Sequence, residues 1–221
     1  MIASVGTASE DAVNGLEPLV ELSFSVQGKA FPADHGYGLY AALVHLIPEI
    51  RLHSEISIST IPGFPDKQGK ILLTEQSCLR IRVSISKIPL VYRLAGKRIS
   101  IGKHEIQIGI PKIYTLRPSE SLRARIVTIK GKDYTQPTAF LEAAMRQLTK
   151  LGISGEVSIP VDKEGNPCRK TIKIQRFTVV GFTTEVSGLS DEDSIKLQQS
   201  GIGGKRHMGC GYFLPKGGYS V

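Results

Sequence analysis

With 221 residues, 41% of them apolar and 22% charged, the chain has room for one large domain or two of about 100 residues and is too apolar to be disordered. Its formal charge of +8 and pI near 9.4 exclude an acidic scaffold and point to a polyanionic partner, because basic clusters gain affinity by releasing counterions from phosphates. Cys78, Cys168 and Cys210 have no CxxC spacing, acidic residues stand before Glu17 where a signal peptide carries basic ones, and the longest apolar run, Leu39 to Pro48, is too short to span a bilayer. The expectation is a cytoplasmic protein with reduced thiols, no membrane contact and no structural zinc.

The alternating stretch Leu19 to Val26 predicts a strand, and His35 to Leu46 a helix. Strands follow at Ile56 to Ile61, Lys70 to Thr74 and Leu79 to Ile85, then a short helix at Pro89 to Leu94 and a β-hairpin over Lys97 to Ile110. After an interruption at Arg117-Pro118-Ser119, Ser121 to Lys130 alternates apolar and basic residues, and Gln136 to Leu151 has helical spacing. Ile153 to Pro160 and Arg169 to Val186 flank the turn-rich segment 162–167 and read as a hairpin. Ser190 is placed to cap a helix through Ser200, with acids in its first turn, and a last strand covers Gly211 to Leu214.

The second half therefore has the order βαββαβ of a ferredoxin-like unit, and the first half has the same order with extra strands. The expected fold class is α+β with two tandem ferredoxin-like domains. The predicted divisions are a loose tail at 1–16, a domain at 17–118, a second at 119–214 and a tail at 215–221. The basic excess is uneven: Lys and Arg outnumber Asp and Glu 13 to 11 in residues 1–120 and 15 to 9 in residues 121–221.

The glycine loop Gly201-Ile202-Gly203-Gly204-Lys205-Arg206-His207-Met208-Gly209-Cys210-Gly211 stands out in that basic half. Glycine reaches positive φ and has no Cβ, so such a loop can turn amides toward an anion while Lys205 and Arg206 supply charge. A Walker loop is excluded by Gln199 and Arg206 at its required Gly and Ser/Thr places, and the dinucleotide fingerprint by Arg206 and the absence of a following helix.

The pattern Gly201-Ile202-Gly203, five residues, Gly209-Cys210-Gly211 resembles the C-terminal glycine loop of the CRISPR-associated repeat-processing endoribonucleases, the sixth Cas family. The segment from Pro32 to Leu43, PADHGYGLYAAL, resembles the myxobacterial-type branch of that family, whose tandem ferredoxin-like domains cover most of the chain. The resemblance implies binding of CRISPR repeat RNA and one metal-independent cut per repeat, with no cofactor. The substrate's 2′-hydroxyl attacks the adjacent phosphorus, leaving a 2′,3′-cyclic phosphate and a 5′-hydroxyl. The enzyme aligns the oxygens, moves protons and stabilises the phosphorane. A non-cleaving RNA-binding subunit of an effector complex is the alternative, and other Cas subunits are then partners.

Proton transfer near neutrality suits histidine. Of five, His35, at the start of the first helix and inside the shared motif, is the leading candidate for the base, and His53 is second, because some members of the family place a histidine just after the first helical segment. His45 reads as a polar helix edge, His104 as an exposed strand residue, and His207 as a loop residue able to touch RNA. Tyr37 and Tyr40 share a helical face, where Tyr37 can orient the 2′-hydroxyl or stack on a base. RNA contacts are expected from Gly201, Gly203, Gly204, Lys205, Arg206, His207, Gly209 and Gly211, and from Arg123, Arg125, Arg169 and Lys170 on strands, with Lys173 and Arg176 beside them.

Overall fold

The computed structural model describes residues 17–66 and 68–217; the tail expected at 1–16 and positions 218–221 of the other lie outside the described residues. The first half forms β1 (Leu19–Gln27), β2 (Ala30–Pro32), α1 (Gly36–Leu46), β3 (Ser57–Ile58), β4 (Phe64–Pro65), β5 (Lys70–Leu72), β6 (Cys78–Ser84), α2 (Ile88–Tyr92), β7 (Arg98–Ile101) and β8 (His104–Thr115). The second forms β9 (Leu122–Val127), α3 (Pro137–Lys150), β10 (Glu156–Ser158), β11 (Arg169–Ile174), β12 (Phe177–Ser187), α4 (Asp191–Ser200) and β13 (Phe213–Pro215).

One sheet runs β3-β6-β1-β8-β7 and the other β10-β12-β9-β13, with β11 paired to β12. With β7 set aside, each sheet has its strands in the spatial order second, third, first, fourth, which is the order of a ferredoxin-like unit. The fold is α+β, two such units in tandem, with the glycine loop between α4 and β13.

Alternation builds both cores. Val20, Leu22, Phe24 and Val26 of β1 are buried together with Leu39 and Leu43 of α1, while Leu122 and Ala124 of β9 meet Phe140, Ala144 and Leu148 of α3. Pro137 sits in the first turn of α3, where its missing N–H is not needed, and Ser190 caps α4 by accepting from the Asp193 amide at 3.1 Å. Among the described residues no helix is long and apolar enough to cross a membrane.

Three local readings differ from expectation. The stretch Arg169 to Val186 is two strands, not one: β11 and β12 form the hairpin, with Ile174 opposite Phe177 and the turn at Gln175-Arg176. Gln175 takes φ 53°, the left-handed conformation a tight hairpin turn demands, without the glycine or asparagine that usually marks it. The segment 162–167 is instead an excursion in which Asp162 Oδ1 accepts from the Glu164 and Asn166 amides, and β10 pairs with the far end of β12. A small third sheet, β2-β5-β4, was not expected in that form. The chain also stays on the second sheet past residue 214, since Pro215 pairs with Leu122 and the Lys216 amide donates to the Ser121 carbonyl at 3.0 Å.

A buried polar seam joins the halves. Arg82 of β6 is 0% exposed; its Nε donates to Glu21 Oε2 at 3.1 Å and its Nη1 to the Gln198 carbonyl near the end of α4 at 2.8 Å. The Tyr212 hydroxyl donates to the same Glu21 oxygen at 2.7 Å, and the Arg82 guanidinium lies 4.1 Å from the Tyr212 ring centre. Cations at a helix C-terminus are favoured by the macrodipole, so α4 is held by arginine from the other half of the molecule.

Candidate active site and nucleic-acid interface

The glycine loop is folded onto protein, not spread for a phosphate. Gly201, Gly203, Gly209 and Gly211 all have positive φ, and Lys205 takes φ 66°. A Cβ on Gly201 would collide with the Gly211 carbonyl and one on Gly211 with the Ile202 carbonyl, so the two glycine triplets close against each other. Amides of the loop are committed: Gly211 to the Ile126 carbonyl and Gly204 to that of Thr128, both at 2.8 Å, Gly203 to Gln147 Oε1 at 2.7 Å and Gly201 to the Leu197 carbonyl at 2.8 Å. Gly209 packs on Thr60 of the first half, and the Met208 carbonyl occupies the space a side chain on Gly36 would need.

Arg206 turns inward. Its Nη2 donates to the Gln199 carbonyl at the end of α4, and burial, with nearby Arg82, brings its pKa down to about 10. Gly204 and Lys205 are the exposed part of the loop. Burial pushes the Cys210 thiol up to about 11, which keeps it protonated and unreactive.

His35 immediately precedes α1 and is 2% exposed. Its Nε2 accepts from the Ile61 amide at 2.9 Å, so the ring proton sits on Nδ1 and is donated to the Pro32 carbonyl at 2.6 Å. Protonating Nε2 would set two donors against each other. Burial accordingly lowers its pKa to about 4, with Arg125 adding to the effect. Both nitrogens hold backbone in place, which leaves none for a substrate.

The sign of this shift gives a stability prediction. Unfolded His35 binds a proton near 6.5 and folded His35 only near 4, so the unfolded state takes up more protons between those values. Stability contributed by neutral His35 is complete above about pH 6.5 and falls by roughly 3 kcal/mol as pH drops to 4. Urea midpoints measured across that window should show a shallower pH slope for His35→Gln than for wild type. Parallel slopes would assign the acid sensitivity to another group.

His53 is differently placed. It follows the short 3₁₀ segment Pro48–Leu52, its side chain is 23% exposed, and Nδ1 donates to Glu55 Oε1 at 3.0 Å. No partner for its Nε2 is found among the described residues. A carboxylate on one ring nitrogen fixes the tautomer and leaves the other as a base. His207, from the glycine loop, donates Nε2–H to the His53 carbonyl at 3.0 Å and stacks on Tyr40, ring centres 5.2 Å apart and planes 14° from parallel. Tyr40 is therefore packing, while Tyr37 is half-buried, its oxygen accepting from Gln175 Nε2 of the β11–β12 turn at 3.3 Å. Tyr37, Tyr40, His45 and Arg51 line a shallow hollow of about 500 Å³ on this side of α1.

A second hollow of about 480 Å³ runs between the halves, lined by Arg80, Arg123, Arg125, Lys170 and Tyr212, with His35 in its wall. Arg123 and Arg125 project from the exposed face of β9 while Leu122 and Ala124 fill the core face, as strand alternation requires. Arg123 pairs with Glu185 at 3.3 Å. Arg169 is exposed on β11 but does not line the cleft, since it lies on the opposite face of the strand from Lys170. Arg80 and Arg51 were missed from the sequence, because a single arginine in an alternating strand or beside a histidine carries no pattern of its own. No three His, Cys, Asp or Glu residues stand together at metal-binding distances among the described residues.

The sequence family described as Cas6 Crispr matches residues 20–218. The chain belongs to the Cas6 family. A "CRISPR-associated endonuclease Cas6" from Myxococcus xanthus strain DK1622 is 34% identical over 198 residues, 90% of this chain and 82% of that one. Among solved structures, a "CRISPR associated protein Cas6" superposes at TM-score 0.60 with 12% identity, covering 91% of this chain and all (100%) of the other. A Cas6-related protein from Pyrococcus furiosus superposes at 0.58 with 15% identity, covering 89% and 97%. "An RAMP protein binding different RNA substrates" superposes at 0.57 with 13% identity, covering 88% and 98%. These superpositions show that the tandem fold is shared with all three.

Proposed function

We propose that this chain is a site-specific, metal-independent endoribonuclease that binds CRISPR repeat RNA and cuts it to release guide RNAs. The observation that carries the reading is His53, held by Glu55 with Nε2 open, in a Cas6 chain whose halves enclose a cationic cleft. The Myxococcus relative, an endonuclease by name, supports the activity, and the RNA-binding RAMP neighbour supports the substrate class.

In this reading Nε2 of His53 takes the proton of the 2′-hydroxyl as that oxygen attacks phosphorus. The bond from phosphorus to the 5′-oxygen breaks, and the imidazolium returns its proton to the departing oxygen. The products are a 2′,3′-cyclic phosphate and a 5′-hydroxyl. The Tyr37 phenol, its oxygen already accepting from Gln175, has its O–H left to donate to a phosphoryl or ribose oxygen. Arg51, exposed in the same hollow, supplies the positive charge for the phosphorane. Arg123, Arg125, Arg80 and Lys170 hold the RNA backbone in the cleft. The loop residues Gly201, Gly203, Gly209, Gly211 and Arg206 act by joining the halves, and only Gly204 and Lys205 are exposed for RNA contact.

End-labelled cognate repeat, incubated with chelator, should be cut once by wild type to give a cyclic phosphate. An analogue with 2′-deoxyribose just upstream of the cut should bind and stay whole. Cleavage that stops in chelator would overturn the metal-independent mechanism, and tight binding with no cut would make the chain a non-cleaving RNA-binding subunit.

A further inference from the structure

The tip of the β11–β12 hairpin carries a feature the proposed reaction does not use. Phe177 is 58% exposed, and the Arg176 guanidinium lies 5.1 Å from its ring centre. One apolar row runs up the hairpin, from buried Ile172 and half-buried Val179 to the paired Ile174 and Phe177, so the row leaves the core and ends on an uncovered ring. The tip is anchored: the Lys173 amide donates to Asp34 Oδ2 at 2.7 Å and Gln175 Nε2 to the Tyr37 oxygen at 3.3 Å. Arg169, Lys170, Lys173 and Arg176 give the same hairpin four positive charges.

We propose that Phe177 and Arg176 form a stacking platform for an unpaired nucleobase of the RNA close to the scissile phosphate. The proposal rests on the endoribonuclease reading, which puts Tyr37 beside the reacting phosphate and hence the hairpin tip next to it. A guanidinium against one side of a ring leaves the other side for a base, and base–aromatic stacking tolerates every base because each has a π-face. The surrounding cations fit a nucleic acid strand and disfavour a basic or neutral partner. Phe177 therefore sets where the strand lies, and not which base occupies the position.

The test places 2-aminopurine singly at each nucleotide flanking the cut in a 2′-deoxy-blocked repeat and reads its fluorescence on binding the full-length protein. One position should be quenched by wild type, lose its quenching with Phe177→Leu, and regain it with Phe177→Trp. Phe177→Leu should weaken binding by about 5- to 100-fold, the range stacking on one base supplies, and an abasic site at the quenched position should cost as much without adding to the variant's loss. Tyr92→Leu, an exposed aromatic on α2, serves as the control that changes neither. Repeat RNA bound with equal affinity and equal quenching by wild type and Phe177→Leu overturns the platform and leaves the nuclease intact. Failure of wild type to bind any repeat RNA instead sinks the endoribonuclease reading beneath it.

Discussion

Replacing His53 with alanine should lower the single-turnover rate of repeat cleavage by about 100- to 10,000-fold, the span lost when a positioned acid–base group is removed. RNA affinity should hold, since the cationic cleft is untouched. The size follows from geometry: Nδ1 is occupied by Glu55 at 3.0 Å, so Nε2 is left to take the proton and a carboxylate stands ready to stabilise the imidazolium that forms. His35 has both nitrogens bonded to backbone, and His207 uses Nε2 on the His53 carbonyl. Glu55→Gln should give a smaller loss, because an amide oxygen can still accept from Nδ1 but does not stabilise the imidazolium. His35→Ala should also cost activity, though through stability, so a thermal melt beside each rate separates the two. A His53→Ala enzyme within a few-fold of wild type would remove the assignment.

Gly211→Ala should be strongly destabilising. The new Cβ meets the Ile202 carbonyl, a backbone atom that cannot swing aside, and φ 63° is strained for any L side chain. Left-handed conformation alone costs roughly 1–2 kcal/mol, and the collision adds to it, against a total stability of about 5–15 kcal/mol for a domain. Gly204→Ala, with open space around the position, should stay within about 0.5 kcal/mol of wild type. Urea midpoints of the two variants decide the matter. Equal stabilities would mean the loop is not the clasp between the halves, and the loss of RNA binding expected for Gly211→Ala should track unfolding.

The glycine spacing was legible because positive φ leaves a residue signature, and the family followed from it. Its use was not. A sequence shows that a loop can turn its amides, but two of them find their acceptors on the carbonyls of Ile126 and Thr128, far off in the chain. The same holds for His35 and His53. His35 stood at the start of a predicted helix and His53 between that helix and the next strand, and only the fold brings the Ile61 amide onto one and His207 onto the other. The Gln175-Arg176 turn was hidden by ordinary residues, and with it the docking of the hairpin on α1. Strands of two or three residues, as in the third sheet, are too short for alternation to register.

The polar seam makes the angle between the halves discrete. Arg82 reaches the Gln198 carbonyl, Glu21 and the Tyr212 ring at once, and a slide of one residue would strand a buried guanidinium in an apolar wall, a change of several kcal/mol. A greasy contact of equal area would let the halves glide. Because the cleft cations Arg80, Arg123, Arg125 and Lys170 come from both sides of the seam while His53 comes from one, this lock holds the distance between those cations and His53 constant. In the proposed reaction such a fixed span would act as a ruler, setting the cut at a constant number of nucleotides from where the strand is grasped.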